Sequence, residues 1–509
     1  MGFIKRILVK MKKRLPLIAF LLLYLLFSLA TFRNYGCTWD EQDVYQGGAE
    51  LYGLLIHGQP MAYMDPEHSY PYPFLLNFLT SQPSYETYHL LNMLFSGFLF
   101  WALFEMLFSA YGSALWALAG PVFLFLDLPF LGSIPANPKD IPFAVFYFLS
   151  LAVIYLFERK LPELKFRWFF LGILFGFTIS SRIVGFTLFP ILLFYDSWIF
   201  FNGEKKGTRK PRRGEWAKKK VLEWFGTFAV SQILCALLWP FIGQDYFKHM
   251  PLAFWLSAHF PPKFSFLFMG GTVDSLTYPW YYLPVWIGIT TPLFLLVFFL
   301  GSFVLSKRVK SHPLYALMSA SLILNIGLYF LLHPAVYDGL RHFLFLLPVA
   351  ALLGSMAFIE FFHEKKWGVF RKAAAGLTLI GILLTTTDLI RLHPYEYAYF
   401  NELVGGFQGA YGKYETDYWA ASMKEAVLWL RANEIDDRRP HSLIYADGKP
   451  FQSQTYFGPH MSLVAKKEEA DYAIIMTRAG SKPAPEDENK VIHRVEREGA
   501  PLCFILKMK

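Results

Sequence analysis

Apolar runs of membrane length recur along the chain, separated by short polar segments. The first is Leu15 to Phe32, and others fall near 88–108, 113–131, 141–157, 167–184, 184–201, 221–242, 280–304, 313–332, 342–362 and 373–390. Crossing a hydrocarbon core of about 30 Å takes roughly 20 helical residues, so the pattern predicts about eleven transmembrane helices. An interfacial helix is expected around Val44 to Ile56. Beyond Leu392 the chain becomes markedly more polar. There a helix near Ala420 to Ala432 and strands near Ser442–Tyr445, Tyr472–Met476, Val491–Val495 and Leu502–Leu506 predict a small α/β domain. The fold class is therefore an all-α polytopic membrane protein with a small C-terminal α/β domain. The division falls into residues 1–392 and 393–509, and the tail is expected to be separable from the spans.

Composition agrees, with 55% hydrophobic and 17% charged residues, where soluble domains carry about 25% charged. The net charge of +9 does not point to nucleic acid, because the basic residues collect in short loops. Arg159, Lys160, Lys165 and Arg167 lie in one, nine Lys or Arg in Gly203 to Lys220, and more in 306–310 and 364–372. By the positive-inside rule these loops and the N-terminus MGFIKRILVKMKKR face the cytoplasm. The segments 33–84, 132–140, 243–279, 333–341 and the tail then face outside. The first run is too long for a secretory signal and is expected to stay as an anchor. Arg6 stands where a myristoylation motif needs Ser or Thr. Cys37, Cys235 and Cys503 have no metal-binding spacing, although Cys37 and Cys503 both fall outside and could pair.

The outer segments carry the candidate chemistry. Asp40, Glu41 and Asp43 open the first, directly after the membrane exit. Charges are costly inside a bilayer and cheap in water, so the cluster sits at the mouth of the first helix. Adjacent acids repel each other without structural gain, which marks Asp40 and Glu41 as candidates for taking a proton. They would titrate as a coupled pair. Glu41-x-Asp43 also permits a divalent cation to bind through two carboxylates. Asn137-Pro138-Lys139-Asp140 fills the second outer turn, and Arg182 ends the fifth run. His259, Lys263 and Asp274 lie in the long loop, and Asp338, Arg341 and His342 open the tenth run. Arg and Lys there suit a phosphate at headgroup level, although cations at helix ends also serve as anchors. Tyr395, Tyr397, Tyr399 and Phe400 suit either a sugar-binding platform or an interfacial aromatic belt. The glycine-rich stretch Gly405 to Trp419 reads as a loop capping a cavity.

An Asp-Glu pair after the first span, Pro138-Lys139-Asp140 before the fourth, and Arg182 before a Val-Gly-Phe run form one pattern. It resembles the C-type glycosyltransferases that use polyprenyl-phosphate-linked sugars. Within them it is similar to the protein O-mannosyltransferases and the lipid A aminoarabinose transferases, over roughly residues 10–390. The tail opening HPYEYAYFNELVGGFQGAYGKYETDYW is similar to that of some bacterial members. The β-trefoil insertion of eukaryotic protein mannosyltransferases has no counterpart in the sequence, which weakens the case for a protein acceptor.

The resemblance implies a bacterial inner-membrane enzyme of the cell envelope. Its partners would be a polyprenyl-phosphate sugar donor and a lipid, glycan or protein acceptor. It further implies Asp40 or Glu41 as general base and Lys139, Arg182, Arg341 and His342 as donor-phosphate ligands. Asp43, Asp140, His259 and Asp338 would support them. Inverting transfer needs one base, because phosphate is already a good leaving group. Glycosidases instead divide acid and base work between two carboxylates. An O-antigen-type polymerase or ligase, or a lipid or glycan transporter, is the alternative. A transporter is expected to show charged mid-membrane positions and repeat symmetry, and the sequence shows no such repeat. Glu105 and Asp127, both near span ends, are the main acids within the runs.

Overall fold

The computed structural model describes residues 12–80, 83–161, 164, 166–202, 213–258, 264–304, 310–363, 368–435 and 441–509. Seven helices among them are long and apolar enough to cross a membrane. They are Tyr85–Tyr111, Asp140–Lys160, Ile183–Asn202, Gly214–Leu238, Pro313–Leu332, Arg341–His363 and Gly368–Leu392. The other four expected runs form shorter apolar helices, at Leu15–Thr31, Ala114–Phe125, Arg167–Ser181 and Leu293–Val304. The chain is thus a mainly helical, multi-pass membrane protein.

Two of the shortenings have clear local causes. Pro292 has no N–H and forces the residue before it out of the helical region. The run 280–304 therefore breaks into Tyr282–Thr290 and Leu293–Gly301. Arg182 is extended (φ −156°, ψ 136°), which stops Arg167–Ser181 before the 3₁₀ turn Ile183–Thr187.

Polar side chains gather at the two ends of the helical bundle. At one end Arg14 and Lys160 hold Glu105, while Arg167 and Lys220 hold Asp196. A buried charge left unpaired would be strongly destabilising, and these acids are paired. Asp127 instead caps the helix Leu128–Ser133, accepting from Phe130 N at 3.3 Å. At the other end the loops interlock with one another and with the tail. Thr38 Oγ1 donates to Ala136 O at 2.7 Å, Val336 N to Ser275 O at 3.1 Å, and Leu267 N to Glu415 Oε1 at 2.7 Å. The helix expected around Val44 to Ile56 runs Glu41–His57. An antiparallel hairpin of β1 (Ser265–Phe268) and β2 (Gly271–Asp274), not foreseen from sequence, occupies the long loop.

The tail holds five strands, β3 (Ser442–Ala446), β4 (Met461–Leu463), β5 (Tyr472–Met476), β6 (Val491–Arg497) and β7 (Ala500–Lys507). They lie in the order β4-β3-β5-β7-β6, with β3 parallel to β4 and β5 and the rest antiparallel. The helix Met423–Asn433 packs on this sheet. Edge strand β4, three residues long, was the strand too short to read from sequence. Cys37 and Cys503 do not pair, and both are free and buried. Cys503 lies within β7, opposite Met476 and Val495, whereas the Tyr456 hydroxyl donates to Cys37 Sγ at 3.0 Å.

One continuous cluster of buried apolar side chains runs from Leu17 through the spans to Val495 and Ile505 in the sheet. Gly36 and Gly132 allow the tail to come this close, because a Cβ at either would strike backbone of Ala421 or of Glu396 and Tyr397. The tail and the spans therefore share one buried core. Truncation after Leu392 removes the tail's part of this shared core. Size-exclusion chromatography in detergent is expected to show the truncated chain aggregated, and a monodisperse product would show that the spans hold by themselves.

Candidate active site

Asp40 stands immediately before the helix Glu41–His57. Its neighbour Glu41 turns away from it and is fully buried. Glu41 accepts from Thr38 N at 2.7 Å and from His89 Nε2 at 2.9 Å. The reach back to Thr38 closes the turn that leads the chain into the helix. The two acids thus divide, with Glu41 anchoring the turn and Asp40 presented by it. Asp43 points elsewhere again, 63% exposed and paired with Lys449 of the tail at 2.5 Å. Glu41 and Asp43 therefore do not converge as a two-carboxylate cation site. Among the described residues no three His, Cys, Asp or Glu side chains do so either.

Arg341 is the hub. Its Nη2 donates to Asp40 Oδ2, its Nε to Asp140 Oδ2 at 2.9 Å, and its Nη1 to Asp338 Oδ2 at 3.3 Å. Asp140 uses its other oxygen to accept from Arg182 Nη2. Asn137 holds the turn, with Oδ1 accepting from Asp140 N at 2.8 Å and Nδ2 donating to Asp140 Oδ2 at 3.1 Å. A single chain of ion pairs thus runs Asp40–Arg341–Asp140–Arg182 across four sequence-distant segments. Asp140 and Asp338, both on Arg341, are each 3% exposed in the side chain, whereas Asp40 is 31% exposed. Among the described residues, Asp40 Oδ1 has no protein partner.

Arg182 leads into a cavity of about 300 Å³. Its polar wall comprises Glu67, His68, Lys139, Arg182, Asn325 and His342, and its remainder is mainly apolar, with Phe143, Phe186, Phe254 and Phe345. Val184, Phe254 and Leu332 line it and are also exposed on the apolar flank of the bundle. Among the described residues Arg182 Nε is buried without a hydrogen-bond partner, an arrangement native structures rarely leave unexplained. Burial and the nearby Arg182 lower the Lys139 ammonium to about 8. Burial raises the Glu67 carboxyl to about 7, Asp65 adding to it. His68 is held well below its ordinary value by burial, with Lys139 and Arg182 adding to it, and so is neutral near pH 7.

His342 lines the cavity and meets Tyr337 edge-on, with centroids 4.7 Å apart. Asp338 lies at left-handed φ 57° in the turn before Arg341. His259 and Lys263 lie outside the described residues. Tyr395, Tyr397, Tyr399 and Phe400 are all buried, so they form neither an open platform nor a surface belt. They pack instead as core beneath the tail. Trp419, from the stretch read as a cap, lies 5.8 Å from the Arg341 guanidinium, measured to its ring centroid. Sequence reasoning missed Glu67 and His68, which sit in an unremarkable polar loop, and Arg478, which lies some 140 residues from its partner.

No protein-family profile matches the chain, and no curated protein matches it by sequence. Solved structures do. The aminoarabinose transferase ArnT from Cupriavidus metallidurans in its apo state is similar over 97% of both chains, at 10% identity and a TM-score of 0.51. The same protein bound to undecaprenyl phosphate gives 11% identity and a TM-score of 0.49, again over 97% of each chain. The Archaeoglobus fulgidus oligosaccharyltransferase in its apo form gives 14% identity over 91% of this chain, at a TM-score of 0.47. This chain spans 66% of that archaeal protein's length. The likeness to ArnT is one of fold.

Proposed function

We propose that the protein transfers a sugar from a polyprenyl-phosphate donor to an acceptor hydroxyl at the outer face of the membrane, with inversion. The observation that carries this reading is the double use of Asp140. One of its oxygens binds Arg182 at the cation-lined cavity and the other binds Arg341, which holds the exposed Asp40. The donor phosphate fits against Lys139, Arg182 and His342, with its prenyl chain along the apolar lining. Asp40 takes the acceptor proton through Oδ1 as the hydroxyl oxygen attacks the anomeric carbon. The bond to phosphate breaks on the opposite side, and Lys139 and Arg182 stabilise the charge that collects there. Residues 393–509 form an outer domain over this site, and the N-terminus lies in the cytoplasm.

The test is transfer of radiolabel from a panel of polyprenyl-phosphate sugars into membrane extracts. Label in a lipid, glycan or protein product that depends on the protein supports the reading and identifies the acceptor class. A correctly inserted protein that transfers from no donor would favour the polymerase or transporter alternatives.

The cavity also fixes a pH dependence. Lys139 carries its charge below about pH 8 and loses it above, so phosphate attraction should weaken as pH rises through that value. Donor KM is expected to climb above about pH 8 in the wild type and to stay flat in Lys139→Gln. Identical profiles would remove Lys139 from the phosphate site.

A further inference from the structure

The tail does more than cover the site, since it delivers a cation into it. Arg478 lies at the start of a short turn directly after β5. Its Nη2 donates to Asp338 Oδ1 at 3.0 Å, and its Nη1 donates to Tyr418 O at 2.8 Å. Its guanidinium also lies 5.2 Å from the ring centroid of Trp39, the residue before Asp40. Asp338 is therefore shared, with one oxygen on Arg478 and the other on Arg341. The turn that carries Arg478 is pinned, because Ala479 N donates to Glu415 Oε1 at 3.0 Å while that same oxygen accepts from Leu267 N.

We propose that Arg478 is a positioning residue of the transfer site, clamping Asp338 against Arg341 and Trp39 beside Asp40, so that the C-terminal domain completes the site. The inference rests on the proposed transfer reaction and extends it to a residue that touches neither substrate. Arg341 holds Asp40, Asp140 and Asp338 at once, each through a different nitrogen. With Asp338 held at its far oxygen by Arg478, the fork of Arg341 is fixed in the orientation that leaves Asp40 Oδ1 free. The stack on Trp39 fixes the backbone that presents Asp40. Misplacement of a reacting group by about 1 Å can cost roughly 10²-fold in rate.

The charges around Asp338 make this separable from a merely structural role. Arg341 and Arg478 face it as cations, Asp140 and Glu415 as acids, and Tyr282, Tyr337 and Tyr418 as phenols. Burial raises its carboxyl to about 7, and Arg478 acts against that rise. An opposite charge at this range is worth about one to three pH units. In Arg478→Ala the Asp338 carboxyl therefore takes up its proton at higher pH than in the wild type, and Arg341 loses that anchor above the pH at which the wild type does.

The experiment compares wild type, Arg478→Ala and Arg478→Lys in the full-length protein. Transfer in Arg478→Ala is expected to fall roughly 10²-fold in kcat with donor KM little changed. The acidic limb of its pH profile should move up by about one unit or more, and Arg478→Lys should recover part of both. Equal transfer and an unmoved limb in Arg478→Ala, beside an active wild type, would overturn this inference and leave the transfer reaction standing. An inactive wild type would instead strike the transfer reaction. In that event infrared difference titration of the Asp338 carboxyl, assigned with Asp338→Asn, still decides. A carboxyl that titrates alike with and without Arg478 overturns the clamp, and an upward move in Arg478→Ala supports it.

Discussion

Arg341→Ala is expected to abolish transfer and to destabilise the protein. The guanidinium is 4% exposed and touches three carboxylates, Asp40, Asp140 and Asp338. Removing one partner of a buried ionic cluster costs about 3–5 kcal/mol, because the charges left behind have lost both water and counter-ion. This effect should far exceed the loss of a simple phosphate ligand, the role that position and residue type imply. Thermal unfolding in detergent should show a fall of several degrees alongside the loss of label transfer. Arg341→Lys should recover most of the stability and little of the activity. A lysine keeps the charge but cannot hold three carboxylates through a planar fork. An Arg341→Ala protein with unchanged stability and a pure rise in donor KM would restore the phosphate-ligand role and dismantle the hub.

Arg341 also marks the limit of what sequence reveals. The residue types and the face they share follow from hydrophobic runs and loop charge, so Asp40, Asp140, Arg182 and Arg341 were all identifiable as candidates. Their pairings were not, because each bond joins segments 42 to 301 positions apart. Nothing local distinguishes a guanidinium facing phosphate from one facing carboxylates. Glu41 shows the opposite case. Adjacent Asp and Glu look alike in sequence, yet one peptide step onto a helix turns Glu41 to a buried His89 and leaves Asp40 at the edge. The fold was easier to read, since membrane length and period-two strands are local signals. The packing of the tail against the spans was not legible either. Its polarity resembles that of a detachable domain, while the aromatic stretch Tyr395–Phe400 that roots it reads equally as surface or core.

The division between Asp40 and Glu41 gives the second large effect. Asp40→Asn is expected to lower transfer by about 10²–10⁴-fold, the span by which a positioned general base accelerates proton transfer. Asparagine keeps the shape of the side chain, and its amide oxygen can still accept from Arg341, so the helix Glu41–His57 and the hub should persist. The loss should therefore fall on kcat, with donor KM and thermal stability close to those of the wild type. Glu41→Gln is predicted to behave in reverse. A glutamine keeps one acceptor oxygen, enough for Thr38 N or for His89 but not for both, and removes a buried charge from the turn, so stability moves more than the chemical step does. Hydroxylamine, a nucleophile that needs no deprotonation near neutral pH, offers a sharper criterion. As acceptor it should restore turnover to Asp40→Asn while doing nothing for Arg341→Ala, whose site has lost its geometry. If Asp40→Asn transfers normally and Glu41→Gln does not, the buried carboxylate is the base, and the turn at Thr38 must open during the reaction to reach it.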